Sequence, residues 1–377
     1  MKKNINILSR WKTLHHCNAN HNIFQLSKLN AQLLAIILLL ALASCQSLEP
    51  FSIDYMQPGR ISFPDELTRV GIVNNVPNEL PNQLSRYFTD QPDVDTPTHT
   101  RQTSYFNGVP SLTIESLAQS IADAQYFEQV VICDSALRAH DEQLRASGLT
   151  PQEVSQLAND LGVDMLISLE SVQLREVKEM IYVASFGVFA GDIAVNVKPV
   201  LQLYLPGRET AVANINATDS IYWQEVGNTM QQVRSRLVSN EEMLRQASDF
   251  AGTIPMKMLL PYWETARRYF FTSGNVKMRD GVVYARENHW DQAQALWTEA
   301  YNGTSSKKKQ FFAAYNLALA CEMQDQIEEA CTWANLAVEK APTPEYLNLA
   351  KKYQNELDKR KGNLSILKAQ LNRFKDQ

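Results

Sequence analysis

The sequence has few glycines and none of the glycine-rich loops that hold phosphate groups. It contains 14 glycines in 377 residues, and neither G-x-G-x-x-G nor G-x-x-x-x-G-K-[ST] occurs anywhere. Dinucleotide sites and P-loop sites need those loops, because backbone N–H groups must approach the phosphates closely. We therefore expect no nucleotide ligand and no cofactor.

The sequence also has no excess of positive charge. Lys and Arg number 36 against 41 Asp and Glu, which gives a net charge of -5. Nucleic-acid binding depends on basic patches that neutralise phosphates. DNA and RNA are therefore not expected among the partners.

Cysteine and histidine are too dispersed to predict a metal site. Structural zinc sites use four such ligands at short spacings, and no C-x-x-C pair occurs here. Two of the cysteines fall on consecutive predicted helices, where a disulfide is an alternative to two reduced thiols in a helix–helix contact. The two cysteines on predicted helices are Cys321 and Cys331, and the third cysteine beyond residue 45 is Cys133. The histidines beyond residue 45 are His99, His140 and His289.

The first 44 residues have the charge and hydropathy pattern of a secretion signal. They carry five basic and no acidic side chains, and the apolar run 33–43 is 11 residues long. A membrane-spanning helix takes about 20 residues, so this run is typical of the apolar core of a signal peptide. The run leads into Leu42, Ala43, Ser44 and Cys45, which resemble the lipobox of bacterial lipoproteins.

The lipobox resemblance implies that residues 1–44 are a lipoprotein signal peptide, that Cys45 is lipidated and that residues 45–64 form a tether. Several acyl chains anchor a protein stably to a bilayer, whereas one chain does so only marginally. An ordinary cleaved secretory signal is the alternative. No Asp follows Cys45, which favours the outer membrane of a Gram-negative envelope, with the protein facing the periplasm or the cell surface.

Residues 65–271 are expected to form an α/β domain. Short apolar runs that alternate with amphipathic stretches predict a sheet with crossover helices. One of these helices begins with a capping-box sequence. A polar loop rich in proline is expected over residues 76–110. The predicted strands cover residues 69–73, 129–133 and 163–169, and the predicted helices cover 114–124 and 150–161.

The second half of this domain has strand periodicity. Apolar and polar residues alternate over 193–205, and a Pro-Gly turn leads into a second run over 212–223, which predicts a hairpin. The twelve residues 180–191 carry no charge. They fit either a buried strand with a glycine bend or an exposed apolar surface used by a partner or the membrane. Residues 237–271 have the composition of a helix.

Two segments near the C-terminus repeat one spacing of small and aromatic residues. The separations are 3, 9, 4 and 3 in both segments, which start 37 residues apart. Small residues at these positions let two helices approach closely, and the pattern resembles the tetratricopeptide repeat. The resemblance implies helix-turn-helix units and a capping helix over 274–357, then a helix or tail over 358–377. The repeat positions are Gly281, Tyr284, Ala293, Trp297, Ala300, Ala318, Cys321, Ala330, Ala334 and Ala337, with Pro342 as the stop.

Together these features predict a multidomain α+β or α/β protein, in which a mixed sheet with crossover helices precedes an all-α tetratricopeptide repeat region. The chain resembles tetratricopeptide lipoproteins of Bacteroidetes-type bacteria, and its α/β part is similar in element order to the curli-secretion (CsgG-like) lipoproteins. These families supply no activity to transfer. Because such repeats commonly bind peptides, the resemblance implies a non-catalytic scaffold in the cell envelope that binds a protein partner through its repeats.

Three alternatives are left open by the sequence. A pair of repeats can simply brace the neighbouring domain. The α/β domain can be an enzyme that uses carboxylates at strand ends, with Asp134, Asp164 and His140 as the candidate residues. The third alternative is an oligomeric secretion pore in which residues 180–205 form a membrane hairpin.

Overall fold

The computed structural model of the chain describes residues 48–77, 88–89, 99–138 and 148–372. The chain divides into two compact units. The sheet unit takes in residues 55–264 and the stretch from 362 onward, and the helical unit takes in the stretch up to residue 54 together with 265–361. The predicted signal peptide lies outside the described residues.

The sheet unit is a mixed eight-stranded sheet with helices packed against it. Its larger core is formed between the sheet and the helices α1 and α4, and a smaller core lies on the α2 side. The strands are β2 Arg69–Asn74, β3 Phe88–Thr89, β4 His99–Asn107, β5 Gln129–Ala136, β6 Met165–Val183, β7 Val188–Tyr204, β8 Ala213–Asn216 and β9 Asp219–Gly227. The helices are α1 Pro110–Asp123, α2 Pro151–Leu161, α3 Met230–Arg236, α4 Asn240–Thr253 and α5 Met256–Leu259.

The parallel part of the sheet follows the sequence prediction. β2 lies between β5 and β6 and pairs in parallel with both. α2 begins with the expected capping box, in which Thr150 and Glu153 exchange hydrogen bonds, and it ends at Gly162 in the left-handed conformation. The mixed sheet with crossover helices is therefore confirmed.

The antiparallel part is built around the 19-residue strand β6. One edge of β6 pairs first with β2 and then, in the opposite sense, with β4, while its other edge pairs with β7. β8 and β9 pair in turn with β7, which confirms the predicted hairpin after residue 205. The result is a four-stranded antiparallel face in the order β4, β6, β7, β9.

Four strands correct the sequence prediction. β1 Leu48–Gln57 lies where a tether is expected, and it pairs with β10 Tyr262–Phe271, which lies where a helix is expected. β3 and β4 both lie inside the expected loop 76–110. For β1, β4 and β10, a strand partner that is distant in the sequence stabilises an extended backbone, and local composition does not reveal such a partner.

The helical unit contains helices joined by turns of three to four residues, together with residues 48–54 of β1 and 265–271 of β10. The C-terminal helical region is thereby confirmed. α10 is one continuous helix where a capping helix and a separate C-terminal segment are expected, because Gly362 inside a helix costs only about 1 kcal/mol. The helices are α6 Val276–Arg286, α7 Trp290–Asn302, α8 Lys307–Met323, α9 Ile327–Lys340 and α10 Pro344–Asn372.

Candidate functional site

The predicted lipid-attachment site lies outside the described residues. This applies to Cys45 and to Leu42, Ala43 and Ser44 before it. In the ranges that the structure covers, no helix combines the length and the apolar composition needed to cross a bilayer. The same ranges hold no group of three or more His, Cys, Asp or Glu side chains placed to bind a metal ion.

The predicted repeat positions line the contacts between the helices of the helical unit. Gly281 is needed for close approach, because a Cβ atom there would lie 2.4 Å from the indole nitrogen of Trp297. That nitrogen donates a hydrogen bond to the Met278 carbonyl at 3.1 Å. Tyr284 differs from the expectation, since it is 39% exposed, and Pro342 is half-buried. The buried repeat positions are Gly281, Ala293, Trp297, Ala300, Ala318, Cys321, Ala330, Ala334 and Ala337.

One side of α8 is occupied by the chain's own strand β10. The fully buried carboxamide of Asn316 accepts the Phe271 backbone N–H at 2.7 Å and donates to the Phe271 carbonyl at 2.9 Å. The Phe271 ring stacks on Phe312, with 4.2 Å between ring centroids. Because every residue from Phe311 to Glu322 is buried, α8 leaves no open face for a partner peptide.

A buried ion network holds the same strand. Arg268 of β10 donates two hydrogen bonds to the carboxylate of Glu322, each at 2.9 Å. Glu322 also accepts from Tyr353 at 2.7 Å and from Arg360 at 3.2 Å. A buried carboxylate is tolerated when paired and hydrogen-bonded in this way. The network therefore joins β10, α8 and α10 as a structural element.

The disulfide alternative is wrong for this structure, since Cys321 and Cys331 are both free thiols. Cys321 is fully buried between helices, and burial raises its pKa to about 11. Burial also raises the pKa of Cys331. Both residues serve as small apolar side chains in the packing of the helical unit.

The two described positions proposed for an enzyme lie far apart along the parallel strands. Asp164 precedes β6 and accepts the Arg69 backbone N–H at 2.8 Å and the Arg69 guanidinium at 2.7 Å, and this guanidinium lowers the Asp164 pKa. Asp134 lies five residues after Gln129, the partner of Arg69, and is therefore about 16 Å along the parallel strands. His140 lies outside the described residues. Asp164 and Asp134 thus stand at opposite ends of the sheet.

A different carboxylate occupies the edge where α/β sheets commonly bind ligands, outside the carboxyl ends of parallel strands. Glu170 is the extra residue of a bulge in β6, between Leu169 and Ser171. Asn75, which follows β2, donates a hydrogen bond to Glu170 at 2.7 Å. Arg138, which follows β5, donates to Asn75 at 2.7 Å. The sequence analysis missed this cluster, because no local pattern marks the bulge.

The neighbours of the Glu170 carboxyl group offset only part of the cost of burying its negative charge. Burial raises its pKa, and the neighbouring Ser168, Asn75 and Arg138 offset only part of this effect. The Ser168 hydroxyl lies near this carboxyl group and lowers its pKa, but neither Ser168 Oγ nor Glu170 Oε1 has a partner at full hydrogen-bond geometry in the part of the chain that the structure describes. A carboxyl group with a raised pKa is the chemical feature of an acid–base residue or of a buried polar binding point.

The uncharged segment 180–191 is the tip of a hairpin and not a single buried strand. β6 ends at Val183, and the chain turns back through Phe186 into β7. Phe186 is 79% exposed, and Ile181 and Tyr182 are also exposed. The interpretation as an exposed apolar surface therefore fits the structure, and the interpretation as a buried strand is wrong. The pore hypothesis places residues 188–204 in a membrane hairpin. In the structure these residues pair within the sheet and bury alternate side chains in its core.

The antiparallel part of the sheet presents one open face. Side chains of β7 that point to the core alternate with side chains that point outward, and the helices α3 and α4 pack on the core row. On this face Tyr105, Arg175 and Asn196 lie side by side in register across β4, β6 and β7. Tyr222 of β9, beside Ala194 of β7, completes the face.

Two tyrosines are the most exposed large side chains in the middle of this face. Tyr222 is 66% exposed and Tyr105 is 47% exposed. Sequence reasoning missed the β4 part, because both rows of this strand are mostly polar and no apolar–polar alternation marks it. One row holds Arg101, Thr103 and Tyr105, and the other holds Gln102, Ser104 and Phe106. We refer to the outward side chains of β4, β6, β7 and β9 as the open sheet face.

Comparison with known proteins identifies two families in the chain. Residues 279–359 match the family described as Domain of unknown function (DUF6340). Neither the curated proteins nor the solved structures yield a match. Residues 67–271, just over half of the chain, match the family described as Domain of unknown function (DUF8603). The chain therefore belongs to the DUF8603 family.

Proposed function

We propose that the chain is a lipoprotein of a bacterial envelope that acts as a non-catalytic scaffold and binds a protein partner on its open sheet face. The observation that carries the proposal is the pair of exposed tyrosines on the open sheet face, Tyr105 beside Arg175 and Tyr222 two strands away on β9. Tyr and Arg are the residue types that most often dominate the energy of protein interfaces.

The dimensions of the face suit a transient complex. Its four strands span about 15 Å between the outer strands, and the nine residues of β4 span about 30 Å. The face therefore offers about 450 Å² to a partner, which is below the roughly 800 Å² that each partner contributes to a standard interface. We expect weak binding, strengthened in the cell by confinement of both partners to one membrane surface.

Lipidation at Cys45 supplies that confinement in the proposal. Its support is the basic N-terminal segment, the apolar run 33–43 and the lipobox resemblance of residues 42–45. The proposed location is the outer membrane of a Gram-negative envelope, facing the periplasm or the surface. A Cys45→Ala variant is expected to lose incorporation of labelled fatty acid and to leave the membrane fraction. Retention of label by the variant would contradict this part of the proposal.

The helical unit is proposed to contain two tetratricopeptide-type repeats. The repeated spacing and the burial of nearly all repeat positions support this assignment. Because α8 already holds β10, we propose that the unit acts mainly as a brace. The apolar side chains that repeat-mediated binding would use are Val283 and Tyr284, on the exposed side of α6.

Affinity capture from detergent-solubilised cells tests the binding surface. We expect the wild type to retain one partner in fixed proportion and the double variant Tyr105→Ser with Tyr222→Ser to lose it. Ile366→Ser, which removes an exposed apolar residue of α10, is the matched control and should retain the partner. Loss of the partner by Tyr284→Ser alone would place binding on the repeats and contradict the proposal.

A second candidate function rests on Glu170. Its raised pKa and its position at the carboxyl ends of the parallel strands favour a small polar ligand or proton transfer at this edge. Glu170→Gln separates the two candidates, because it leaves the open sheet face intact. Normal partner capture together with a lost cellular function in this variant would favour the second candidate.

A further inference from the structure

The hairpin tip of the sheet unit departs from the ordinary pattern of a half-exposed sheet. Glu179 and Asp192 form the last pair in which both residues are charged. Beyond them, four residue pairs and the turn contain no charged side chain over residues 180–191. At 3.4 Å per residue, the uncharged part extends about 14 Å from that pair.

Apolar side chains are exposed on both faces of this tip. Ile181 lies on the outward face in register with Ala190 and Val226, and Val226 is 60% exposed. The exposed Tyr182 belongs to the alternate row and packs on the Phe189 ring, with 5.0 Å between centroids. A protein partner that docks on a sheet covers one face, whereas a lipid phase surrounds both.

The charges near the tip are placed as at a membrane interface. Arg236 of α3 donates a hydrogen bond to the Val226 carbonyl at 3.1 Å, and Arg234 on the same helix is exposed. Aromatic side chains at the level of the headgroups and cations beside them are characteristic of protein contacts with the bilayer interface. The carboxylates Glu179 and Asp192 stand level with the base of the uncharged part, and Glu225 of β9 pairs with Gly191, one position closer to the turn. On the other side, His99 of β4 pairs with Ile181 and contacts the Glu179 carboxylate at 2.5 Å. The part of the hairpin beyond Ile181 is therefore the part that lies clear of charged neighbours on the paired strands.

We propose that the tip formed by residues 180–191 dips into the interfacial layer of the lipid bilayer, with Phe186 deepest. Its length of about 14 Å exceeds the 5–10 Å to which interfacial elements are buried. This inference rests on the proposed membrane location, and it adds a second contact that fixes the orientation of the sheet unit. The open sheet face would then stand at a set height above the membrane.

Vesicle flotation tests the inference without the lipid anchor. The protein used starts at residue 45 and carries Cys45→Ser, so that no acyl chain contributes. We expect it to float with vesicles of phosphatidylethanolamine and phosphatidylglycerol. The double variant Phe186→Ser with Ile181→Ser should partition at least about tenfold less, because moving one phenyl side chain out of an apolar phase changes partitioning by more than that factor.

Matched variants separate this inference from the proposed function. Phe186 is exposed in a turn, so its replacement should leave the urea unfolding midpoint unchanged. Tyr222→Ser should float like the wild type and lose the protein partner. The tip variant should lose flotation and keep the protein partner. Equal flotation of the wild type and the tip variant would overturn the inference. The inference would also be overturned if the wild type did not float, or if flotation were lost only when Arg234 and Arg236 are replaced.

Discussion

The attachment of β10 to α8 by one carboxamide gives the sharpest prediction for stability. In Asn316→Ala, the N–H and the carbonyl of Phe271 each lose their side-chain partner in a fully buried position. An orphaned buried polar group costs about 1–3 kcal/mol, so two such groups should reduce the free energy of unfolding by about 2–6 kcal/mol. The aromatic contacts of Phe271 remain, which leaves the polar loss as the dominant effect.

Urea denaturation followed by far-UV circular dichroism measures this loss. Asn335→Ala, an exposed position on α9, is the matched control and should change stability by less than about 0.5 kcal/mol. Asn316→Asp keeps the acceptor for the Phe271 N–H but loses the donor to its carbonyl. If Asn316→Ala shifted the unfolding free energy by less than about 1 kcal/mol, the carboxamide would not be what fastens β10 to the helices.

Three further predictions follow from packing, charge and redox state. Gly281→Ala should lower the free energy of unfolding by about 1–3 kcal/mol in thermal unfolding, because its Cβ would collide with Trp297. Gly362→Ala has open space around it and should raise the free energy of unfolding by about 0.5–1 kcal/mol. The same sign for both variants would contradict the packing argument. Glu170 has a raised pKa when folded, so wild-type stability should fall relative to Glu170→Gln as the pH rises above about 4.3, the usual pKa of a glutamate; parallel pH curves from urea titrations would refute this. Reductant should leave the unfolding midpoint and the number of titratable thiols of the helical unit unchanged, and an increase in thiols would reveal a disulfide.

Elements with strong local signals could be predicted from the sequence. α2 carries its capping box and a terminal glycine, and the apolar runs 69–73, 129–133 and 163–169 mark β2, β5 and the first part of β6. The rest of β6, which contains charged residues, is not predicted from these runs. The helices of the helical unit follow from the repeated spacing. In these elements, local propensity and tertiary packing favour the same structure.

The missed elements depend on distant partners. β1 has the composition of a tether, and β10 has that of a helix, yet the two pair across more than 200 residues of sequence. Glu170 enters the candidate site only through a bulge, which is a mismatch of register between two strands. Likewise, α8 has a helical sequence, but only the fold shows that β10 occupies one of its sides.

The central claim is that the open sheet face binds a protein at the membrane, and site-specific photo-crosslinking in intact cells tests it most directly. A photoreactive amino acid replaces Tyr222 in one strain and Tyr284 in another, with all other residues unchanged. Illumination of the position 222 strain should give one discrete protein adduct, and the position 284 strain should not give it. An adduct at position 284 alone, or no protein adduct at position 222, would contradict the account.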